Sequence, residues 1–180
     1  MHNVDKIGLY LGPRNCGKSI YAEKELEKFN SILYIGTLPK LDNFYNTILH
    51  HQQRRGSMWQ TIETTSDFCD SLEKIKLCLQ NNNFEACLLD GIITWFLYST
   101  GKVLENRQPK FLDLFTEGII ELISCKNLLW RIVDVDPEIF RHTKEDYIGF
   151  KTMHEKLISA LNIKLIINWK YEKIQNTMDR

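Results

Sequence analysis

Residues 12–19 read Gly-Pro-Arg-Asn-Cys-Gly-Lys-Ser, a match to the pattern G-x-x-x-x-G-K-[ST]. The apolar run "IGLYL" precedes them, and the helix-like stretch "SIYAEKELEKF" (19–29) follows. That context gives the spacing a chemical meaning. Glycines at 12 and 17 let successive backbone N–H groups turn inward around a phosphate, and the following helix aims its positive end at the same point. Lys18 brings a fixed charge toward the β- and γ-phosphates, and Ser19 offers a hydroxyl to Mg²⁺. Gly12, Pro13, Arg14, Asn15, Cys16, Gly17, Lys18 and Ser19 are therefore all candidates for holding a nucleoside triphosphate, ATP or GTP. Hydrated Mg²⁺ needs a second oxygen ligand, normally at the end of another buried strand. Asp90 in "CLLDG" stands in that position, with helix capping of "ITWFLYS" as its competing role.

A second group of reactive side chains lies in "HHQQRRGSMWQTIE" (50–63), with His50 and His51 followed by Arg54, Arg55, Trp59 and Glu63. Adjacent side chains on a helix diverge by about 100°, so at most one of the two histidines faces a given ligand. Periodicity alone does not separate either from an ordinary surface histidine.

These residues must be positioned by a scaffold, and the chain alternates in a way that supplies one. Stretches 6–12, 31–37, 85–91, 127–135 and 163–169 are short, nearly continuous apolar runs, as expected of parallel strands covered on both faces. Helical patterns occupy 19–29, 66–80, 111–124 and 144–161, with Phe68, Leu72, Ile75 and Leu79 on one face of the second. The expectation is one α/β domain spanning 1–180. Two stretches, 38–65 and 100–110, break the alternation and are the natural places for irregular, site-forming loops. Trp59 falls in the first and is expected beside the nucleotide, while the other aromatic residues are expected in the core. Met153 and His154 on the last helix are open to either solvent or a neighbouring subunit.

Composition narrows the class. The chain has 180 residues, 43% of them apolar and 26% charged, and 23 basic side chains balance 23 acidic ones. Zero net charge lends no support to nucleic-acid or membrane-surface binding. No apolar run approaches the ~18 residues of a membrane span, and "MHNVDK" has no signal-peptide core, so a cytoplasmic protein is expected. Five cysteines without a CxxC pair suggest reduced thiols. All but Cys16 read as small buried hydrophobes, and Cys16 as a residue that is simply small enough for its loop.

Together the glycine loop, Ala22-Glu23, "YIGT" (34–37), "HHQQRRGSMWQTIE" and "LLDGIITW" resemble the bifunctional adenosylcobinamide kinase/adenosylcobinamide-phosphate guanylyltransferase family of cobalamin biosynthesis. That family carries GGxRSGKS, YIAT, an HH…R…W.T.E segment and a strand ending in an acidic residue. The resemblance implies a P-loop NTPase-like three-layer α/β sandwich with a mostly parallel central sheet, assembled as a homotrimer. It implies phosphorylation of adenosylcobinamide, then GMP transfer from GTP to adenosylcobinamide phosphate. His51 matches the nucleophile, which attacks the α-phosphorus and holds GMP as a phosphoramidate. Gln52, Gln53, Arg54 and Arg55 fall in the guanine-nucleotide segment, Thr37, Leu38 and Pro39 in the segment after the second strand, and Glu63 and Asp90 match two further nucleotide contacts.

The chain also departs from the family pattern. Asn43 and Thr47 stand where Glu and Arg are expected, and the fourth-strand signature NEVGxGIVP is replaced by "RIVDVDPE", which retains Pro137. The nucleotide half of the pattern is kept, and the half nearer the corrinoid or the subunit interface is rewritten. Two other readings therefore stay open: a related kinase or nucleotidyltransferase acting on another acceptor, and a nucleotide-binding scaffold without turnover.

Overall fold

The computed structural model describes residues 6–38, 49, 53–99, 109–138 and 144–168. Six strands form one parallel sheet: β1 (Ile7–Gly12), β2 (Ile32–Gly36), β3 (Trp59–Glu63), β4 (Ala86–Asp90), β5 (Leu129–Val135) and β6 (Lys164–Asn168). Their order across the sheet is β3-β2-β4-β5-β1-β6. Among the described residues the longer helices are α1 (Lys18–Leu26), α2 (Phe68–Asn81), α3 (Ile92–Ser99), α4 (Pro109–Ser124) and α5 (Lys144–Leu161).

Five of these strands are the apolar runs expected from sequence. The sixth, β3, lies inside the 38–65 stretch expected to be irregular. It is an edge strand paired with β2 alone, and its sequence Trp-Gln-Thr-Ile-Glu leaves Gln60 and Thr61 exposed. A strand covered on only one side needs no continuous apolar run, which is why the pattern of the central strands did not reveal it.

The two faces of the sheet are covered differently. Leu9, Leu11, Leu33, Ile35, Cys87, Leu89, Trp130 and Ile132 face a large cluster built with residues of α2, α3, α4 and α5. Tyr10, Ile32, Tyr34, Ala86, Leu88 and Val133 face a smaller one, to which α1 contributes Ala22 and Leu26. Trp59 packs against this second cluster from the amino end of β3. It lies four residues, roughly 13 Å, below Glu63, so the expectation that it sits beside the nucleotide is corrected.

Met153 and His154 are also corrected. Both are buried, at 1% and 4% exposure, beneath α5. Among the cysteines only Cys87 is buried. Cys16 and Cys78 are half-buried and Cys69 and Cys125 are exposed, and all five are free thiols. No described helix is long and apolar enough to cross a membrane.

The strand ends that matter lie together. Register places Glu63, Gly36 and Asp90 side by side at the carboxyl ends of β3, β2 and β4. Asp90 is opposite Val133 on β5, whose own end pairs with Gly12 on β1. The helix after β1 leaves over one face and those after β4 and β5 over the other, opening a crevice at these ends.

Candidate nucleotide site

The glycine loop begins where β1 stops at Gly12. Asn15 (φ 59°) and Gly17 (φ 89°) adopt left-handed backbone, the conformation that curls the chain tightly before a helix. Gly17 is the N-cap of α1 and supplies no side-chain acceptor, so the first-turn N–H groups of that helix receive no side-chain cap. Lys18 is the first residue of α1 and only 6% exposed. Its ammonium curls back over the loop and donates to the carbonyls of Gly12 (3.1 Å) and Pro13, with Cys16 Sγ at 3.5 Å.

Ser19 Oγ donates to Asp90 Oδ1 at 3.2 Å, joining the loop to the end of β4. The other carboxylate oxygen, Oδ2, accepts from the Tyr34 hydroxyl at 2.9 Å. The capping role weighed for Asp90 is filled by a different residue. Ile93 N–H, in the first turn of α3, points at both oxygens of Asp134 (3.2 Å each). Asp134 also accepts from Val135 N–H at 2.9 Å and lies 2.8 Å from His154 Nε2. Asp90 is thereby left to face the loop.

Thr37, 1% exposed, places its hydroxyl 2.6 Å from the carbonyl of Asp90 and 2.7 Å from that of Gly91. Gly91 has φ 102°, and a Cβ there would meet Thr37 Oγ1 at 2.6 Å. Any other residue there would strain that φ and have to displace the Thr37 hydroxyl from its two carbonyls.

Glu23, one turn beyond Ser19 on α1, gathers both arginines. Arg54 donates to its two oxygens at 3.1 and 3.2 Å, and Arg55 Nε to one at 3.4 Å. The Arg55 guanidinium carbon also lies 3.2 Å from the centroid of the Tyr34 ring, and its Nη1 reaches Thr61 Oγ1 at 3.3 Å. Burial pushes the Glu23 carboxyl above its ordinary range, with Arg54 and Arg55 pulling the other way and Asp90 adding to the rise. Burial, and then the charge of Asp90, hold the Tyr34 phenol well above its usual value, so it stays a hydrogen-bond donor.

These groups border a cavity of about 500 Å³, within the range of small-ligand sites. Its wall is the loop from Arg14 to Ile20, Thr37 and Leu38 after β2, Arg54, Asp90, Gly91 and Thr94, and Val133, Asp134 and Val135 at the end of β5. Gly12 and Pro13 are buried behind the loop, and Arg55 is buried against Tyr34 instead of lining the cavity. Gln53 is exposed and Glu63 half-buried at the end of β3, both away from that wall. His51, with Gln52 and Pro39, lies outside the described residues. Sequence reasoning missed Tyr34, Thr94 and the Asp134–His154 pair. Tyr34 was visible only as a letter in "YIGT", and no local pattern reports a partner 56 positions away.

Among the described residues, no cluster of three His, Cys, Asp or Glu side chains is arranged to hold a metal ion. Ser19 and Asp90 nevertheless form a hard two-oxygen set, which suits an ion that keeps most of its water.

A search of the solved structures returns the NADH-dependent butanol dehydrogenase A of Thermotoga maritima, with 12% identity and a TM-score of 0.37. The match covers 82% of this chain and 47% of the dehydrogenase, so the chain spans about half that protein's length, and so distant a likeness says nothing of function. No protein of curated function matches the sequence significantly. The sequence model of the family described as "Cobinamide kinase / cobinamide phosphate guanyltransferase" matches residues 8–146, from the first strand through the start of α5. The match spans most of the chain and includes every residue of the cavity wall, and on that ground the chain belongs to the cobinamide kinase / cobinamide phosphate guanyltransferase family, nucleotide-using transferases of cobalamin biosynthesis.

Proposed function

We propose that the cavity binds a nucleoside triphosphate and that the chain carries out both family reactions, the phosphorylation of adenosylcobinamide and the transfer of GMP to the product. The observation that carries this reading is the 3.2 Å contact between Ser19 and Asp90 beneath the glycine loop, which brings two sequence-distant oxygen ligands to one edge of a basic cavity. The first-turn amides of α1 and the Lys18 ammonium face the β- and γ-phosphates, whose oxygens replace the carbonyls of Gly12 and Pro13 as Lys18 acceptors. Ser19 and Asp90 hold Mg²⁺, which when bound offsets charge on the phosphate oxygens. Arg54, held by Glu23 on α1, adds a second charge to the cavity wall.

In the second reaction the neutral imidazole of His51 attacks the α-phosphorus of GTP and pyrophosphate departs. A phosphate oxygen of the acceptor then attacks the phosphoramidate, forming the new P–O bond and returning the electron pair to the imidazole. GTP labelled at the α-phosphate tests this directly. Acid-labile, base-stable label should appear on the protein and vanish in His51→Ala. Lys18→Ala should lower triphosphate affinity at least about a hundredfold; unchanged affinity would place the phosphates elsewhere.

One observation favours a second reading of the acceptor. Within "RIVDVDPE", the Asp134 carboxylate is wholly buried and committed to capping α3 and to His154. The protein then transfers GMP to a different phosphorylated alcohol. Label that forms on His51 but does not pass to adenosylcobinamide phosphate would select this reading.

A further inference from the structure

A tyrosine buried on an interior strand of a parallel sheet needs a partner for its hydroxyl. Tyr34, 6% exposed on β2, finds it in Asp90 Oδ2. That bond ties one carboxylate oxygen and leaves Oδ1 turned to Ser19. The opposite side of the same residue is also in use, since the Arg55 guanidinium lies over the ring face and bonds to Glu23, the carboxylate that also holds Arg54. Ser19 and Glu23 are one helical turn apart on α1 and so share a face. The contacts close on themselves: Ser19, Asp90, Tyr34, Arg55, Glu23, and back along α1 to Ser19.

We infer that Tyr34 is a positioning residue with two duties: its hydroxyl sets the rotation of the Asp90 carboxylate for Mg²⁺, and its ring is the platform that keeps Arg55, and through Glu23 the cavity-lining Arg54, in place. The inference rests on the triphosphate reading of the cavity. Neither duty requires Tyr34 to touch the nucleotide, and Tyr34 is not among the residues that line the cavity. The two duties are separable because they use different parts of one side chain. Tyr34→Phe removes the donor and keeps the platform. Tyr34→Leu removes both.

The test is a calorimetric titration of GTP into the full chain, in EDTA and across a series of MgCl₂ concentrations, with the thermal midpoint of each variant measured alongside. In Tyr34→Phe the Mg²⁺ concentration giving half of the affinity gain should rise about tenfold, the effect of losing a hydrogen bond to a charged group, while GTP affinity in EDTA stays at the wild-type value. In Tyr34→Leu the same Mg²⁺ shift should be joined by weaker GTP binding in EDTA. A wild-type Mg²⁺ requirement in Tyr34→Phe overturns the first duty whatever the thermal midpoint, since a merely structural tyrosine would move only the midpoint. Equal GTP affinity of the two variants in EDTA overturns the second. If GTP binding to the wild type ignores Mg²⁺ altogether, the reading of Ser19 and Asp90 falls, and the inference with it.

Discussion

The two faces of the sheet solve the packing problem with opposite chemistry. On one, Phe68, Trp95, Phe96, Phe115 and Phe150 form a continuous aromatic cluster, with Phe68 and Phe115 centroids 4.4 Å apart and Phe96 and Phe150 5.6 Å apart. On the other, α1 rests on a layer threaded with buried charge. Arg131 on β5 pairs with Glu25, which also accepts from Tyr10, and a few residues away Glu23 holds Arg54 and Arg55. The aromatic packing is non-directional and tolerant of small shifts, apart from the buried Asp134–His154 pair that the same face carries. The charged face is directional, so the placement of α1, and of the loop that opens it, depends on named pairs. The difference separates two duties: one face holds the sheet together and the other aims the glycine loop.

The largest test of that division is Phe115→Ala. Removing a fully buried ring at the centre of the aromatic cluster should cost about 3–5 kcal/mol of stability, read by denaturant unfolding. GTP affinity per folded molecule should be unaltered, and a parallel loss of binding would show that the faces are not independent. Arg131→Met should cost less, about 2 kcal/mol, because Glu25 is 30% exposed and can recover hydration. Here GTP affinity should fall as well, since α1 loses an anchor to β5.

Glu25 and Glu23, two residues apart on α1, sharpen the comparison through pH. Burial alone would raise Glu25, but hydrogen bonds from Arg131 and Tyr10 and the Arg131 charge outweigh it and hold the carboxyl below its ordinary value. A depressed carboxylate contributes stability above its unfolded pKa of about 4.3 and loses that contribution as pH falls. The acid-side fall in stability should therefore be shallower in Glu25→Gln than in the wild type. Glu23 is displaced upward by burial, so its ionisation weighs against the folded state as pH rises past the ordinary carboxylate range. Glu23→Gln keeps an acceptor for Arg54 and Arg55 and should gain on the wild type with rising pH. Two glutamine variants with the same pH dependence would contradict the assignment.

Much of this architecture was legible because parallel strands buried on both faces have continuous apolar sequences, and five of the six could be read that way. The glycine loop was legible for a related reason: its chemistry is local, compressed into eight consecutive residues. What escaped was whatever depends on partners far along the chain. Trp59 begins an edge strand whose polar residues mask it. His154 is buried because Asp134, twenty positions earlier, receives it, and nothing in the helical period of α5 reports that. The link from Asp90 through Tyr34 to Arg55 likewise exists only once β2, β4 and the segment before β3 are side by side.

The turn at Gly91 sets a boundary on how such a protein can change. With Thr37 hard against it, position 91 could take a methyl group only in a strained backbone and by displacing the hydroxyl that joins the tips of β2 and β4. Substitution is therefore constrained at this end of the sheet and freer at the rims, where side chains are exposed. On the triphosphate reading proposed above, a change of acceptor has to be accommodated around that turn.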